Sequence, residues 1–371
     1  MAAENNNKTL NVPTLRFPEF SGEWESSQLK DECTVNPKTG ELEDEFLYID
    51  LESVVNGELI KHNIIQKKDS PSRAQRILHK GDILYQCVRP YQLNNYFVND
   101  ESDMQRVAST GYAQIRTSHN PQFVYQLLHT KKITDQVLNR CTGTNYPAIN
   151  STDLSNIIID FPGQKEQIKI ASFLRLIDER IAIQNKVIER LQSLIRALAQ
   201  TLTNKAEEHE PLMSLVNCYT STLKESDTSV EGEVPVYGAS GICGFVEEPM
   251  ETKDSILITK DGSGVGTVRY VPEKHSFVGT LASLTAKEGV YLPYVYFVLM
   301  GFDFSAYKTG LAIPHVYFRD YGKGVIPCPS YGEQVKIAKG LMLYEERLAI
   351  EKDVLKKLSE QKSFLLRGLF I

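Results

Sequence analysis

The chain lacks any run of about 18 apolar residues, and its first ten residues, MAAENNNKTL, are polar. We therefore expect neither a membrane span nor a secretory signal, and we place the protein in the cytoplasm. Its six cysteines are scattered, with no CxxC pair and no histidine pair at ligand spacing, so zinc and a disulfide framework are both disfavoured. They are interpreted as core or surface thiols, and no metal site is predicted.

The common catalytic motifs are missing as well. No GxxxxGK[ST] phosphate loop, HExxH helix, GxSxG elbow or [DN]PP-aromatic methyltransferase motif occurs. The glycines of DGSGVG (Gly262, Gly264 and Gly266) lack the GxGxxG spacing and run into a strand. They favour a tight hairpin that presents its backbone to a ligand over a phosphate cradle. The sequence predicts no catalytic residues and no enzyme.

An excess of positive charge is also absent. The formal net charge is -6, whereas nucleic-acid-binding domains are usually basic. Net charge averages over faces, however, and acidic residues cluster in 41–45 and 207–210, away from the Lys- and Arg-rich middle of the first half. A nucleic-acid surface would have to be local or shared with a partner.

What the chain does contain is an internal duplication. At an offset of 167 residues, Thr142 and Gly143 align with Thr309 and Gly310, and the match continues without a gap to the C-terminus. The aligned identities include Pro147/Pro314, Asp153/Asp320, Pro162/Pro329, Glu166/Glu333, Ile170/Ile337, Ala171/Ala338, Arg180/Arg347 and Leu191/Leu358. The length of 371 residues accommodates two or three domains.

Each copy ends in a predicted long helix, the first running from Lys165 to about Asn204. Apolar residues alternate spacings of three and four, which is the heptad seam of a coiled coil. The first seam is Leu174, Ile177, Ile181, Gln184, Ile188, Leu191, Ile195, Leu198 and Leu202. The second is Leu341, Tyr344, Leu348, Glu351, Leu355, Leu358, Lys362, Leu365 and Leu369.

One such helix cannot bury its apolar stripe alone, so the two copies are predicted to pair. Antiparallel pairing is the natural geometry for repeats related by pseudo-two-fold symmetry. It would set Gln184 opposite Glu351, as a device that fixes helix register or as a tolerated polar defect.

The predicted fold class is α+β, with two mixed α/β domains separated by two long helices in an antiparallel coiled coil. The boundaries are a mobile tail at 1–12, a first domain at 13–163, a central helix at 164–205, a second domain at 206–330 and a C-terminal helix at 331–371. Predicted strands include one from Phe46, one at Ile83–Tyr85 and one through ASTGYAQIRT from Ala108. A helix is predicted from Pro121 to about Arg140.

These segments resemble one protein family over essentially the whole chain. They are PxxxEQxKIAxFLxxIDERI after a strand, the preceding GTNYP loop, DILYxxVRPY, STGYAQIRT and the second helix copy. Together they resemble the DNA-specificity subunit of type I restriction-modification systems. In the second half GLAIPHV replaces GTNYPAI, which departs from the pattern.

The resemblance implies two target-recognition domains that each read one half of a bipartite, asymmetric site in double-stranded DNA. It implies that the two conserved helices act as a spacer and bind two modification subunits for adenine-N6 methylation. Restriction subunits, where present, would add translocation and cleavage. No cofactor is expected in this chain, because S-adenosylmethionine, ATP and Mg would belong to those partners, and no membrane contact is expected.

Candidate DNA contacts are polar and aromatic loop residues. In the first domain they are Arg89, Tyr91, Asn94, Asn95, Asn145 and Tyr146, with Lys67, Lys68 and Arg73 for phosphates. In the second they are Lys260, Ser263, Arg269, Lys308, His315 and Arg319. Structural alternatives stay open, among them Arg89 bracing a carboxylate such as Asp82, Tyr146 simply packing, and the lysines forming a solvated face.

Two functional readings compete with a complete restriction system. The acidic charge would suit a coiled-coil scaffold that binds proteins and no DNA, although the Arg-, Asn- and Tyr-rich loops favour DNA. A methylation-only complex, or a single-chain restriction enzyme with a separate specificity polypeptide, would keep the same recognition role.

Overall fold

A computed structural model describes residues 10–310 and 313–371 of the chain. They form two compact units. Unit 1 extends to Ile183 and is completed by Leu355–Ile371, and unit 2 is Gln184–Val354. None of the helices in the described residues combines the length and apolarity needed to cross a membrane.

Unit 1 contains two four-stranded sheets and two short ladders. One sheet has the order Asn63–Gln66, Glu45–Ile49, Arg106–Ser109, Ala74–Leu78, with its central pair parallel. The other is antiparallel, in the order Cys33–Val35, Tyr112–Thr117, Ile83–Gln86, Tyr96–Phe97. The ladders are Glu25–Gln28 with Ile158–Phe161, and Val54–Val55 with Glu58–Leu59. The short helices are Leu29–Glu32, Pro121–Leu127, Lys131–Leu138 and Ser151–Ser155, with 3-10 turns at Lys67–Asp69 and Pro90–Gln92.

Unit 2 repeats this plan. Its four-stranded antiparallel sheet has the order Val216–Thr220, Leu281–Ala286, Ser255–Thr259, Val268–Val271. A second sheet joins Gly241–Val246, Val234–Gly238 and Ser276–Phe277, and a short ladder pairs His209–Pro211 with Val325–Pro327. The helices are Leu212–Leu215, Leu292–Met300 and Phe318–Tyr321, with 3-10 turns at Glu225–Asp227 and Phe304–Tyr307. The predicted α+β class with a duplicated plan is confirmed.

Two predicted elements of unit 1 are each divided in two. The strand through ASTGYAQIRT breaks after Ser109, because a turn with Gly111 pressed against Leu51 sends Tyr112–Thr117 into the other sheet. The helix predicted from Pro121 to about Arg140 is interrupted where the Thr130 hydroxyl donates to the Leu127 carbonyl at 2.8 Å. A side-chain bond of this kind competes with the helical backbone pattern.

The core of unit 1 joins sequence-distant segments around Trp24, which is 3% exposed. Its indole packs edge-on against Phe123 and against Phe370 at the C-terminus. Of the predicted tail, residues 1–9 lie outside the described residues. Asn11 is tied down, since its backbone and its side-chain amide both bond to Trp24.

The two long helices are Gln164–Thr203 and Tyr331–Leu369. In unit 1 the start of the first helix packs on the end of the second, and Leu174 is fully buried. The predicted polar interruption Lys362 is satisfied there, since its ammonium lies 2.6 Å from the Asp178 carboxylate. That carboxylate also accepts a hydrogen bond from Gln126 at 2.6 Å. The charged pair therefore joins the two helices.

In unit 2 the two long helices meet at Gln184 and Glu351. The Gln184 amide donates to the Glu351 carbonyl at 3.0 Å and to its carboxylate, so the two predicted polar seam residues face each other. Leu341 and Leu348 are buried, but Tyr344 is 41% exposed and does not fill its predicted seam position. A tyrosine tip prefers water, which limits how far the ring can enter an apolar seam.

Acid should weaken this polar layer. The Gln184 hydrogen bond and nearby Arg347 hold the pKa of the Glu351 carboxyl below its ordinary value of 4.5. The stability that the carboxylate contributes is thus present above about pH 4.5 and lost as the pH falls through the folded-state pKa. Glu351→Gln should reduce the drop in melting temperature on acidification, measured by circular dichroism.

Glu360→Gln is the matched control, because that carboxylate is exposed on the same helix. If Glu351→Gln and Glu360→Gln melt alike at every pH, the polar layer is a tolerated defect and has no role in register.

Candidate nucleic-acid interface

In unit 1 the loop of residues 142–148 is fastened to the end of the strand Ile83–Gln86. The fastening consists of backbone hydrogen bonds to residues 87–89 and across the loop itself, and we call it the first clamp. The bonds are Arg89 N to Pro147 O (2.7 Å), Ile149 N to Cys87 O (3.0 Å), and a reciprocal pair between Thr142 and Ala148 (both 2.9 Å).

Unit 2 has the same fastening, which we call the second clamp. It connects residues 309–315 to residues 260–262, and residues 311 and 312 lie outside the described part of the loop. The bonds are Gly262 N to Pro314 O (3.0 Å), Val316 N to Lys260 O (2.9 Å), and a reciprocal pair between Thr309 and His315 (2.9 and 2.7 Å). Each bond has its counterpart in the first clamp.

A glycine starts the tight turn of each clamp. Gly143 has φ 90° and Gly310 has φ 86°, in the region where a side chain is disfavoured. A Cβ on Gly310 would lie 2.3 Å from the Ile313 carbonyl oxygen, and one on Gly143 would lie 3.0 Å from that of Tyr146. The Thr-Gly pair shared by the two sequence copies is thus explained by backbone geometry.

The first clamp carries two exposed side chains, Asn145 and Tyr146, and the half-buried cation Arg89. Tyr146 is 64% exposed, Asn145 is exposed beside it, and the Arg89 guanidinium lies 4.4 Å from the centre of the Tyr146 ring. The alternative that Arg89 braces Asp82 is wrong. Asp82 is fully buried and its carboxylate is held by Arg116, with two contacts of 2.7 Å.

The second clamp carries different chemistry on the same backbone. Gly262 stands where the first clamp has Arg89, and Ile313, 58% exposed, stands where it has Tyr146. His315 donates from Nδ1 to the Asp261 carboxylate at 2.7 Å, and its ring stacks on Tyr317. The Arg319 guanidinium also lies over the Tyr317 ring, 5.1 Å from its centre.

The segment that follows Arg89 in the chain includes a predicted contact that is buried. Asn95, a predicted DNA contact, is only 1% exposed, and its side-chain oxygen accepts from the Gln86 backbone at 2.8 Å. Burial lowers the pKa of His129 to about 4, so this ring is neutral at pH 7. With its Nδ1–H donated to the Tyr125 carbonyl, its Nε2 accepts from the Asn95 amide at 3.3 Å. Asn95 therefore holds the loop in place and offers no surface to a duplex.

The remaining predicted contacts of unit 1 lie on its surface. Lys67 and Lys68 are exposed on their 3-10 turn, and Arg73 is exposed just before the strand Ala74–Leu78. Asn94 is half-buried and accepts a hydrogen bond from the Asn56 backbone at 3.1 Å. Tyr91 is 51% exposed.

In unit 2 the second clamp brings together Lys260, Ser263, Lys308 and His315, all within or next to its two segments. Ser263 and Lys308 are exposed, whereas Lys260 is half-buried. Arg269 is placed elsewhere, on the strand Val268–Val271, with its guanidinium 5.8 Å from the Tyr237 ring centre.

Sequence reasoning missed Asp261 and Tyr317. The sequence repeat aligns His315 with Ala148, but it begins only at Thr142 and so does not cover the preceding strand ends. There Asp261 forms a backbone bridge with His315, as Val88 does with Ala148. That bridge joins residues far apart in the chain, so only an alignment of the two strand ends would have signalled it. Among residues 10–310 and 313–371, no group of three or more histidine, cysteine or acidic side chains is placed to hold a metal ion.

Two α+β units that repeat one backbone clamp with unlike side chains define a duplicated protein with two surfaces of different chemistry. Comparison with known proteins identifies the family. The model of the type I restriction modification DNA specificity domain matches residues 21–193 and 215–360, which include both clamps. The chain belongs to this family of specificity subunits, which are not themselves catalytic.

Individual relatives agree with the family match. The chain is 28% identical over 273 residues to a putative type I specificity subunit of Mycoplasma genitalium, covering 67% of this chain and 70% of that protein. It is 26% identical over 157 residues to the HindI specificity subunit of Haemophilus influenzae. That match covers 41% of this chain and 34% of the relative, so it spans about a third of the relative's length.

Solved structures show the same fold. The crystal structure of an S subunit of a type I restriction-modification system from M. genitalium superposes with a TM-score of 0.62 at 21% identity, covering 97% of this chain and 99% of that one. A second structure, from a study of complex assembly and conformational transition in a type I system, gives 0.53 at 19% identity, covering 94% and 97%.

The buried Asp82 carboxylate should be essential to the sheet that carries the first clamp. It accepts from Arg116, from Gln114 and from the His79 backbone, all within 2.8 Å. Asp82→Ala leaves these donors unsatisfied. Because Arg116 is 40% exposed, we expect a loss of about 2–3 kcal/mol in the free energy of unfolding, below the value for a fully buried pair.

Asp100→Ala is the matched control in the same unit, because Asp100 also binds an arginine, Arg106, through two 2.9 Å contacts but is 58% exposed. It should cost less than about 1 kcal/mol by urea denaturation. Equal losses for the two variants would contradict the structural role given to Asp82.

Proposed function

We propose that this specificity subunit reads a bipartite, asymmetric site in double-stranded DNA, with unit 1 recognising one half and unit 2 the other. The observation that carries the proposal is the pair of clamps, in which matching backbone bonds present different exposed side chains. A shared scaffold with unlike loops suits two surfaces that read different base sequences.

The surface chemistry of each clamp supports DNA as the ligand. Arg89, Asn145 and Tyr146 of unit 1 offer donors and a stacking ring. Ser263, Lys308 and Arg319 of unit 2 are exposed near the His315 ring. Such groups read base edges or hold phosphates. Because the net charge of the chain is -6, the basic surface that binds DNA must be local, and partner subunits would complete it.

The long helices have two roles in the proposal. A helix of 40 residues is about 60 Å long, which is between one and two turns of duplex and suits a spacer that separates two half-sites. Both helices also expose large apolar residues at equivalent positions of the repeat. These are Leu176 and Ile183 on the first helix and Leu343 and Ile350 on the second, each more than half exposed.

Twin apolar positions on a duplicated helix suit the docking of two copies of one partner. In the proposed cytoplasmic complex these partners are two modification subunits, which supply S-adenosylmethionine and adenine-N6 methylation. Restriction subunits would add ATP- and Mg-dependent translocation and cleavage. This chain supplies recognition and assembly.

Single-molecule methylation mapping tests the proposal directly. DNA from cells that express the chain with its cognate modification subunit should carry N6-methyladenine in one bipartite, asymmetric motif. Lys308→Ala combined with Arg319→Ala should weaken or relax one half of that motif and leave the other half unchanged, because both residues belong to unit 2. A lack of any methylated motif, with demonstrably active modification subunits, would instead favour a scaffold that binds proteins and no DNA.

Phosphate contacts predict a separate, salt-dependent effect. Lys67 and Lys68 are exposed and neighbouring, so replacing both with alanine should weaken binding of all duplexes by the assembled complex without changing the motif. Two lost phosphate contacts should reduce the slope of log K against log salt by about 1.8. An unchanged slope in a fluorescence anisotropy titration would mean that these lysines are solvated and contact no phosphate. Lys131→Ala, also exposed but paired with Asp135, is the control.

A further inference from the structure

We propose that Arg89, resting on the Tyr146 ring, is the residue with which unit 1 reads a guanine of its half-site. This inference rests on the proposed DNA recognition by unit 1 and names a specificity-determining contact within it. It is carried by the backbone of Arg89, by the surroundings of its side chain, and by the comparison with the second clamp.

The backbone of Arg89 is strained. Its φ and ψ are 53° and 55°, a left-handed conformation that residues with side chains rarely adopt. The same hydrogen-bonded position in the second clamp is Gly262, with φ 95°. A glycine therefore satisfies this position in a closely related frame, and unit 1 keeps an unfavourable arginine there. Strain that a glycine would relieve points to a function of the side chain.

Arg89 is half-buried, and its guanidinium lies on an exposed aromatic ring. It lies 4.4 Å from the centre of the Tyr146 ring, which is itself 64% exposed. In the described part of the chain, no carboxylate pairs with it and no side-chain hydrogen bond uses its donors. Asp82, the acid that the sequence suggested as a partner, is paired with Arg116 instead. A stacked, unpaired guanidinium retains its donor fork and loses less conformational freedom on binding.

Among the base edges of DNA, guanine has the pair of acceptors that fits the two N–H donors of a guanidinium. Paired N–H donors reach O6 and N7 of guanine in the major groove, and this is the commonest specific contact of arginine with DNA. The equivalent surface of unit 2 has Gly262 and Ile313 and carries the Asp261 and His315 pair instead. Unit 2 therefore cannot make the same contact from that position, which accounts for an asymmetric site.

The test compares Arg89→Gly with the unaltered chain, each assembled with its cognate modification subunits. Motif mapping should show one guanine of one half-site becoming degenerate while the other half-site is unchanged. Affinity for the original site should fall about 10- to 100-fold. The melting temperature of the chain should stay the same or rise, because glycine relieves the strained φ.

Two further variants sharpen the result. Arg89→Lys keeps the charge but lacks the planar fork, so it should show the same degenerate position. Asn56→Gly is the backbone control, because Asn56 also has a positive φ, of 51°, and is exposed, yet its removal should leave the motif intact.

Each alternative result has a definite meaning. An unchanged motif in Arg89→Gly would overturn the guanine contact and leave the proposed function standing. A uniform loss of affinity with the base preference intact, rescued by Arg89→Lys, would make Arg89 a phosphate contact and also overturn it. If the unaltered complex shows no sequence preference at all, the proposed function fails, and this inference fails with it.

Discussion

The whole molecule depends on the burial of one apolar stripe that no single helix can cover. Each sequence copy ends in a heptad helix, and the start of one is packed against the end of the other in unit 1. Apolar burial contributes about 25 cal/mol per Å2, so a stripe several turns long is a large share of a marginal total stability. Because the partner helix comes from the other end of the chain, neither unit is complete without both copies.

Polar residues within this seam are paired rather than excluded. Lys362 meets Asp178 in unit 1, and Gln184 meets Glu351 in unit 2. A buried polar group without a partner is costly, so each pair favours the one alignment in which its members meet. The apolar stripe gives the helices their affinity for each other, and the polar pairs are suited to select the register.

The two clamps show how one backbone arrangement can carry two surfaces of different chemistry. Their hydrogen bonds involve main-chain atoms, and only the glycine of each turn is demanded by the geometry. The other side chains are free to vary without loss of the loop. Arg89 with Tyr146 in one unit, and Asp261 with His315 in the other, are thus alternative surfaces on a common frame.

Elements with a strong pattern were predictable. The long helices were predicted within a residue or two of their ends, since a sustained heptad pattern admits one interpretation. Breaks were not predictable, because the division at Gly111 depends on contact with Leu51 and that at Thr130 on a hydroxyl bond to a carbonyl. Among the candidate contacts, Asn95 has the same residue type as exposed Asn145, and only burial distinguishes them.

The duplication, the α+β class, the helix seam and the resemblance to type I specificity subunits could all be predicted from the sequence, because periodicity and repeated motifs are local properties of the chain. Tertiary structure alone decided which loop residues face outward and which partners they have. That Arg116 and not Arg89 holds Asp82, and that Asp261 holds His315, follows from strand pairing between distant residues. Such pairing is fixed by the packing of the whole unit, and no short stretch of sequence records it.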